Sequence, residues 1–201
     1  MNVKIIGLTG VPGAGKTAAA EYLQERGTLL LSGDRIGREV VEDNPALLRR
    51  LVRTLGKSIL KEDGIMDRER VGRMVFADPA TLAELNAIIH PPLLRALKTK
   101  MKAAGKKHPK RLIVVDAALI FEWGIADWFD YILVITARRD LRLKRLVRSG
   151  LTLRRASLRI GSQIPQRIKA ALADYVIENN GSKADLRKKL DEFLVILKRM
   201  E

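Results

Sequence analysis

Eight consecutive residues near the start of the chain, Gly10-Val11-Pro12-Gly13-Ala14-Gly15-Lys16-Thr17, have the types and spacing needed to hold a polyphosphate. Glycines at 10, 13 and 15 let backbone N–H groups turn inward and approach phosphate oxygens closely. A helix opening at Lys16 aims its positive end at the same anion. Lys16 supplies a point charge to the β- and γ-phosphates of ATP, and the Thr17 hydroxyl is a ligand for Mg²⁺. The nucleotide-contacting set is therefore Gly10, Gly13, Ala14, Gly15, Lys16, Thr17 and Ala18. Asp116, which ends the apolar run 111–116 (RLIVVD), is a second candidate for Mg²⁺; its alternative is an ordinary turn or helix-cap aspartate.

If the terminal phosphoryl group is passed to an alcohol, three more parts are needed: a base, an acceptor pocket, and a lid that brings positive charge and excludes water. Asp34 is the base candidate, since it lies just past the second apolar run; the competing reading is the N-cap of a helix over 35–42. Arg148 and Arg159 are lid candidates, because guanidinium forks match phosphate oxygens; the competing reading is a solvated basic face. His90 either helps to hold an anionic acceptor or packs against Pro91 and Pro92. Trp123, Trp128 and Phe129 read as core or pocket wall rather than a stacking platform. A guanine-reading N-K-x-D has no match here, and Asp116 is followed by Ala117-Ala118-Leu119 rather than the D-x-x-G of GTPases.

The elements that position these residues follow from periodicity. Residues 3–9 read as a buried parallel strand, 16–26 as a helix closed by Gly27, and 28–31 as a second strand. From 34 to 105 the pattern is mostly helical, punctuated by Pro45, Gly56, Gly64, Pro79, Pro91 and Pro92. A basic loop at 105–110 leads to strands at 111–116 and 131–135. A basic helical pair split near Ser149 and Gly150 precedes a short strand at 174–177, turned by Asn179-Asn180-Gly181. The amphipathic helix 183–200 carries Leu186, Leu190, Phe193, Leu194 and Leu197 at helical spacing. Short apolar strands alternating with helices mean an α/β fold: a P-loop NTPase core with a parallel five-stranded sheet. The expected division is a nucleotide core at about 1–33, 111–137 and 173–201, a helical acceptor-binding subdomain at about 34–110, and a helical lid at about 138–172.

Composition narrows the class. With no cysteine, a disulfide-stapled secreted fold and a zinc–thiolate site are excluded. No signal peptide is visible, and no run approaches the roughly 18 apolar residues of a membrane span, so the reading is a cytoplasmic protein without membrane contact. The net charge of +15 points to polyanionic partners. Seven basic residues and no acid lie in 98–111, and nine basic residues with one acid lie in 138–159. The second run contains no aromatic residue to stack unpaired bases, so nucleic acid is the weaker reading.

The same residues, taken in order, resemble the bacterial dephospho-coenzyme A kinases from end to end. Ser32-Gly33-Asp34-Arg35-Ile36-Gly37-Arg38-Glu39-Val40 resembles the family's D-A-D-x-I-x-R-x-V segment. Leu85-Asn86-Ala87-Ile88-Ile89-His90-Pro91 is similar to L-N-x-I-x-H-P, and Asp116-Ala117-Ala118-Leu119-Ile120-Phe121-Glu122 to D-x-P-L-L-F-E. Arg159-Ile160 with Gln163 resembles the lid's R-I-x-x-Q, and Ala173-Asp174-Tyr175-Val176-Ile177 its A-D-x-V-I. Ser32, Ala118 and Leu141 depart from the pattern, standing where aspartate, proline and glutamine are usual. The resemblance implies transfer of the ATP γ-phosphoryl group to the ribose 3′-hydroxyl of dephospho-coenzyme A, giving coenzyme A and ADP. It implies Asp34 as the base; Lys16 and the lid candidate Arg148 are taken as catalytic beside it, and Arg159, in the lid-like segment, as a nucleotide contact. It implies an acceptor pocket of Asp34, Arg38, His90, Leu119, Phe121 and Glu122. The expected partner is this small molecule, bound by a monomer or weak homo-oligomer. A kinase for another nucleoside or nucleotide, or a nucleic-acid-binding protein on the same core, are the rival readings.

Overall fold

In the computed structural model, residues 4–199 are described. The sequence places the start of the first strand at Val3 and the end of the last helix at Met200, both outside the described residues. The first strand, β1 (Ile5–Gly10), is buried along almost its whole length, as a continuous apolar run in a parallel sheet must be. It feeds α1 (Lys16–Glu25), which stops where Gly27 takes the left-handed φ of 89°. The chain then enters β2 (Leu29–Ser32).

Two compact units follow from the contacts: residues to Ser32 with those from Ala103 on, and Gly33–Lys102. The second unit opens with α2 (Gly33–Glu42) and α3 (Pro45–Leu55). Asn44 caps α3 by accepting the Leu47 N–H at 3.0 Å, with Pro45 pre-set at the first helical position. Asp67 caps α4 (Arg68–Ala77) in the same way. Val41, Leu47, Leu51, Leu55, Ile59, Val71 and Val75 form the core of this unit.

Its last helix, α5 (Pro79–Lys107), corrects the sequence reading twice. Pro91 and Pro92 lie inside it rather than ending it, and Gly105 lies in its last turns rather than in a loop. Each interior proline removes an N–H and costs about 3 kcal/mol in an isolated helix. Ile88, Leu93, Leu97 and Met101 are all buried along α5, so packing overrides that local preference.

The first unit resumes with β3 (Ile113–Asp116), β4 (Tyr131–Thr136), α6 (Arg139–Arg148), α7 (Leu153–Gly161), α8 (Gln166–Ala171), β5 (Tyr175–Glu178) and α9 (Lys183–Arg199). Strand β3 starts two residues later than its apolar run, at Ile113; the exposed Arg111 side chain just before it donates to the Gly27 carbonyl at 2.9 Å. The five strands are all parallel in the order β2-β3-β1-β4-β5. Helix α9 lays Leu186, Leu190, Phe193 and Leu197 against the core that contains Ile6, Leu23 and Ile177. Among the described residues, no helix is long and apolar enough to cross a membrane.

The strand order fixes where a ligand can sit. From β1 the chain leaves toward β2, and from β3 it leaves toward β4, so neighbours β1 and β3 send their chains to opposite sides. The crevice at their C-terminal ends is the topological switch point of the sheet. The loop 11–15 starts there, and Leu8 of β1 is in register with Asp116 of β3.

Candidate active site

The loop between β1 and α1 is shaped by two glycines in left-handed backbone, Gly13 at φ 77° and Gly15 at φ 100°. Neither tolerates a side chain. A Cβ on Gly13 would stand 2.7 Å from the Arg142 carbonyl oxygen, and one on Gly15 would stand 2.2 Å from the Asn179 side-chain nitrogen. No side chain caps α1 and its first turn holds no acid. Its leading N–H groups therefore have neither an intrahelical partner nor a competing carboxylate, which is the chemistry of an anion seat.

The outer side of this loop is held by groups that sequence reasoning missed. Arg145 on α6 donates to the carbonyls of Gly13 and Ala14, both at 3.3 Å, and to the Asn179 carbonyl at 2.9 Å. The Asn179 side chain donates to the Ala14 carbonyl at 2.8 Å. With these carbonyls engaged outward, the peptide N–H groups are left for a ligand. Asn179 reads in the sequence as a turn residue, and nothing in the spacing of the basic run separates Arg145 from its neighbours.

Lys16 forms an ion pair with Asp116. Asp116 is thus neither a helix cap nor a plain turn residue; it meets the loop lysine across the switch point. Thr17, next to Lys16, is exposed in the first turn of α1. A hydroxyl and a carboxylate are hard oxygen donors suited to Mg²⁺, which takes one or two protein ligands and leaves its other positions to water and phosphate. Ala18 is half-buried behind them.

The segment after Asp116 folds back onto α8. Lys169 is fully buried, and its ammonium donates to the Ala118 carbonyl at 2.7 Å and to Gln163 at 3.3 Å, and pairs with Glu122 at 2.8 Å. Burial pushes the Lys169 pKa down; Glu122 opposes this, while the charge on Lys16 adds to it. Glu122 also accepts the Ile164 N–H at 3.1 Å, and Thr9 donates to the same Ala118 carbonyl at 3.1 Å. Leu119 and Phe121 are half-buried in this segment. Phe129 is core wall, since it and Ile120 close over Gly7 of β1.

Arg148 is exposed at the end of α6, and Arg159 is exposed on α7. In the helical unit, α2 starts at Gly33, which places Asp34 in the first turn and removes the N-cap alternative. Asp34 is exposed, and its side chain makes no hydrogen bond or ion pair among the described residues. Arg38 is exposed one turn further on, its carbonyl accepting from Arg68 at 3.3 Å. His90 is half-buried on α5, and its burial lowers its pKa below the usual histidine value.

A family model described as dephospho-CoA kinase matches residues 4–185. A curated dephospho-CoA kinase from Anaeromyxobacter dehalogenans (strain 2CP-C) is 36% identical over 198 residues, covering 98% of this chain and 93% of the relative. Among solved structures, a protein from Thermus thermophilus is similar at TM-score 0.79 and 30% identity, covering 98% of this chain and 99% of its own. A dephospho-CoA kinase from Campylobacter jejuni is similar at TM-score 0.71 and 25% identity, with 97% of both chains covered.

Proposed function

The chain belongs to the dephospho-CoA kinase family, and from that premise we propose how its residues divide the work of phosphorylating dephospho-CoA with ATP. The observation that carries the reading is the glycine-shaped loop 10–17 at the switch point, with Lys16 held against Asp116. The loop N–H groups and the start of α1 bind the phosphates. Lys16 turns from Asp116 toward the transferring phosphoryl oxygens, where its charge opposes the negative charge that develops. Thr17 and Asp116 would hold Mg²⁺, which neutralises phosphate charge when bound. Asp34 accepts or orients the proton of the acceptor hydroxyl, which we assign as the ribose 3′-OH. Support for Asp34 is its exposed, uncommitted carboxylate and its position in the family-like segment 32–40. Arg38, His90, Leu119 and Phe121 are assigned to the acceptor, and Arg148 and Arg159 to phosphate charge, on the same family pattern.

The test is acceptor-dependent ATP turnover by the purified protein, followed by mass analysis of the acceptor. One phosphate gained on dephospho-CoA, requiring Mg²⁺, is expected. Lys16→Ala is expected to lower kcat by about 10²–10³-fold, the loss seen when one preorganised charge donor is removed. Equal ATP consumption with and without dephospho-CoA, or full activity in Lys16→Ala, would overturn the assignment.

A further inference from the structure

Lysine is seldom fully buried, and Lys169 is buried completely inside the nucleotide-binding unit. Its nitrogen meets three acceptors: the Ala118 carbonyl at 2.7 Å, a Glu122 oxygen at 2.8 Å and the Gln163 oxygen at 3.3 Å. Three acceptors saturate an ammonium, whereas a neutral amine has only two hydrogens to give. The three acceptors also belong to two different stretches of chain. Ala118 and Glu122 lie directly after Asp116, the partner of Lys16. Gln163 lies in the link between α7, which carries Arg159, and α8, which carries Lys169 itself. Glu122 doubles the tie by accepting the Ile164 N–H of that link at 3.1 Å. Its second oxygen is buried without a hydrogen-bond partner, so among the described residues the carboxylate's polar contacts are those with Lys169 and Ile164.

From this geometry we infer that Lys169 is a positioning residue for phosphoryl transfer: its buried ammonium locks the α7–α8 link onto the segment following Asp116. The inference rests on the kinase reading above. Lys169 touches no site that the loop offers to phosphate. It acts by fixing two pieces, one beginning at the Asp116 that meets Lys16, the other beginning at the end of the Arg159 helix. Glu122 is then part of the fixing and not an acceptor contact through its paired oxygen. A misplacement of about 1 Å in such supports costs up to about 10²-fold in rate without removing any reacting group.

The experiment compares wild type, Lys169→Met, Lys169→Arg and Gln163→Leu below their unfolding temperatures. Expected for Lys169→Met is a kcat about 10–100-fold lower, with both KM values within about threefold, the pattern of a lost transition-state arrangement. Lys169→Arg keeps the charge and is expected to recover most of kcat. Amide exchange in Lys169→Met is expected to quicken at 118–122 and 162–166 and to stay slow in β1. A Lys169→Met protein with wild-type kcat overturns the inference even if it melts earlier, because that is a purely structural lysine. If Lys169→Met does not fold, Gln163→Leu decides: a kcat drop of about 3–10-fold supports the inference, and wild-type kcat overturns it. A wild type inactive on dephospho-CoA defeats the kinase reading alone; amide exchange then still decides whether Lys169 fixes both segments, and unchanged exchange overturns it.

Discussion

The two units present their candidate residues in opposite ways. Around the nucleotide loop, almost every group is already engaged: Lys16 with Asp116, Arg145 and Asn179 with loop carbonyls, and Lys169 with Glu122. In the helical unit, Asp34 and Arg38 project from α2 with their side chains exposed. The nucleotide loop is held in shape by protein contacts, while the Asp34 carboxylate stands uncommitted among the described residues. Binding a fixed anion favours the first arrangement, since no reorganisation is spent at the moment of reaction. Taking up a flexible, polar acceptor tolerates the second.

Four substitutions test the contrast. Asp34→Ala removes a group with no structural partner, so kcat is expected to fall about 10²–10⁴-fold, the usual worth of a general base, with the melting temperature unchanged. A matching loss of stability would show that Asp34 is held after all. Arg145→Ala is expected to hit both properties at once. The KM for ATP rises about tenfold and stability falls by about 1.5–3 kcal/mol, the worth of a charged hydrogen bond, measured by urea unfolding and initial rates. An unchanged KM would mean the loop holds its shape without α6. Leu51→Ala, in the core of the helical unit, is expected to cost about 2–5 kcal/mol while leaving kcat of the folded protein intact. The smallest effect concerns His90. Its folded pKa lies below its unfolded value, so the unfolded chain takes up a proton first. Stability is therefore lost as pH falls from about 6.5 through the lower folded pKa, and His90→Asn is expected to flatten that part of the stability–pH curve. A curve identical to wild type would place His90 in water.

Much of this was readable in the sequence because the loop 10–17 is local. Its glycines, lysine and threonine act on one ligand from consecutive positions, and the flanking apolar runs announce strand and helix. Strand β1 and helix α1 follow directly. The network around Lys169 was not readable, since its partners lie 51 residues back at Ala118 and 6 residues back at Gln163, with no shared period. A lysine in a basic, helical stretch looks solvated until the fold buries it. Pro91 and Pro92 misled in the other direction. Local preference marks a break there, and only the burial of Leu93, Leu97 and Met101 shows why α5 continues. The excess of positive charge remains legible as composition alone.

The central place of β1 also has a consequence for how the protein is made. Its first pairing partner, β3, begins at Ile113, and the Lys16–Asp116 contact closes a span of 100 residues. A chain emerging N-terminus first from the ribosome exposes its nucleotide loop long before either neighbouring strand exists. Such non-local pairing gives a high contact order, and folding is correspondingly slow. During that interval the helical stretch 33–102 is complete and β1 is an unpaired apolar strand, which is the stage at which a nascent chain is most prone to aggregate.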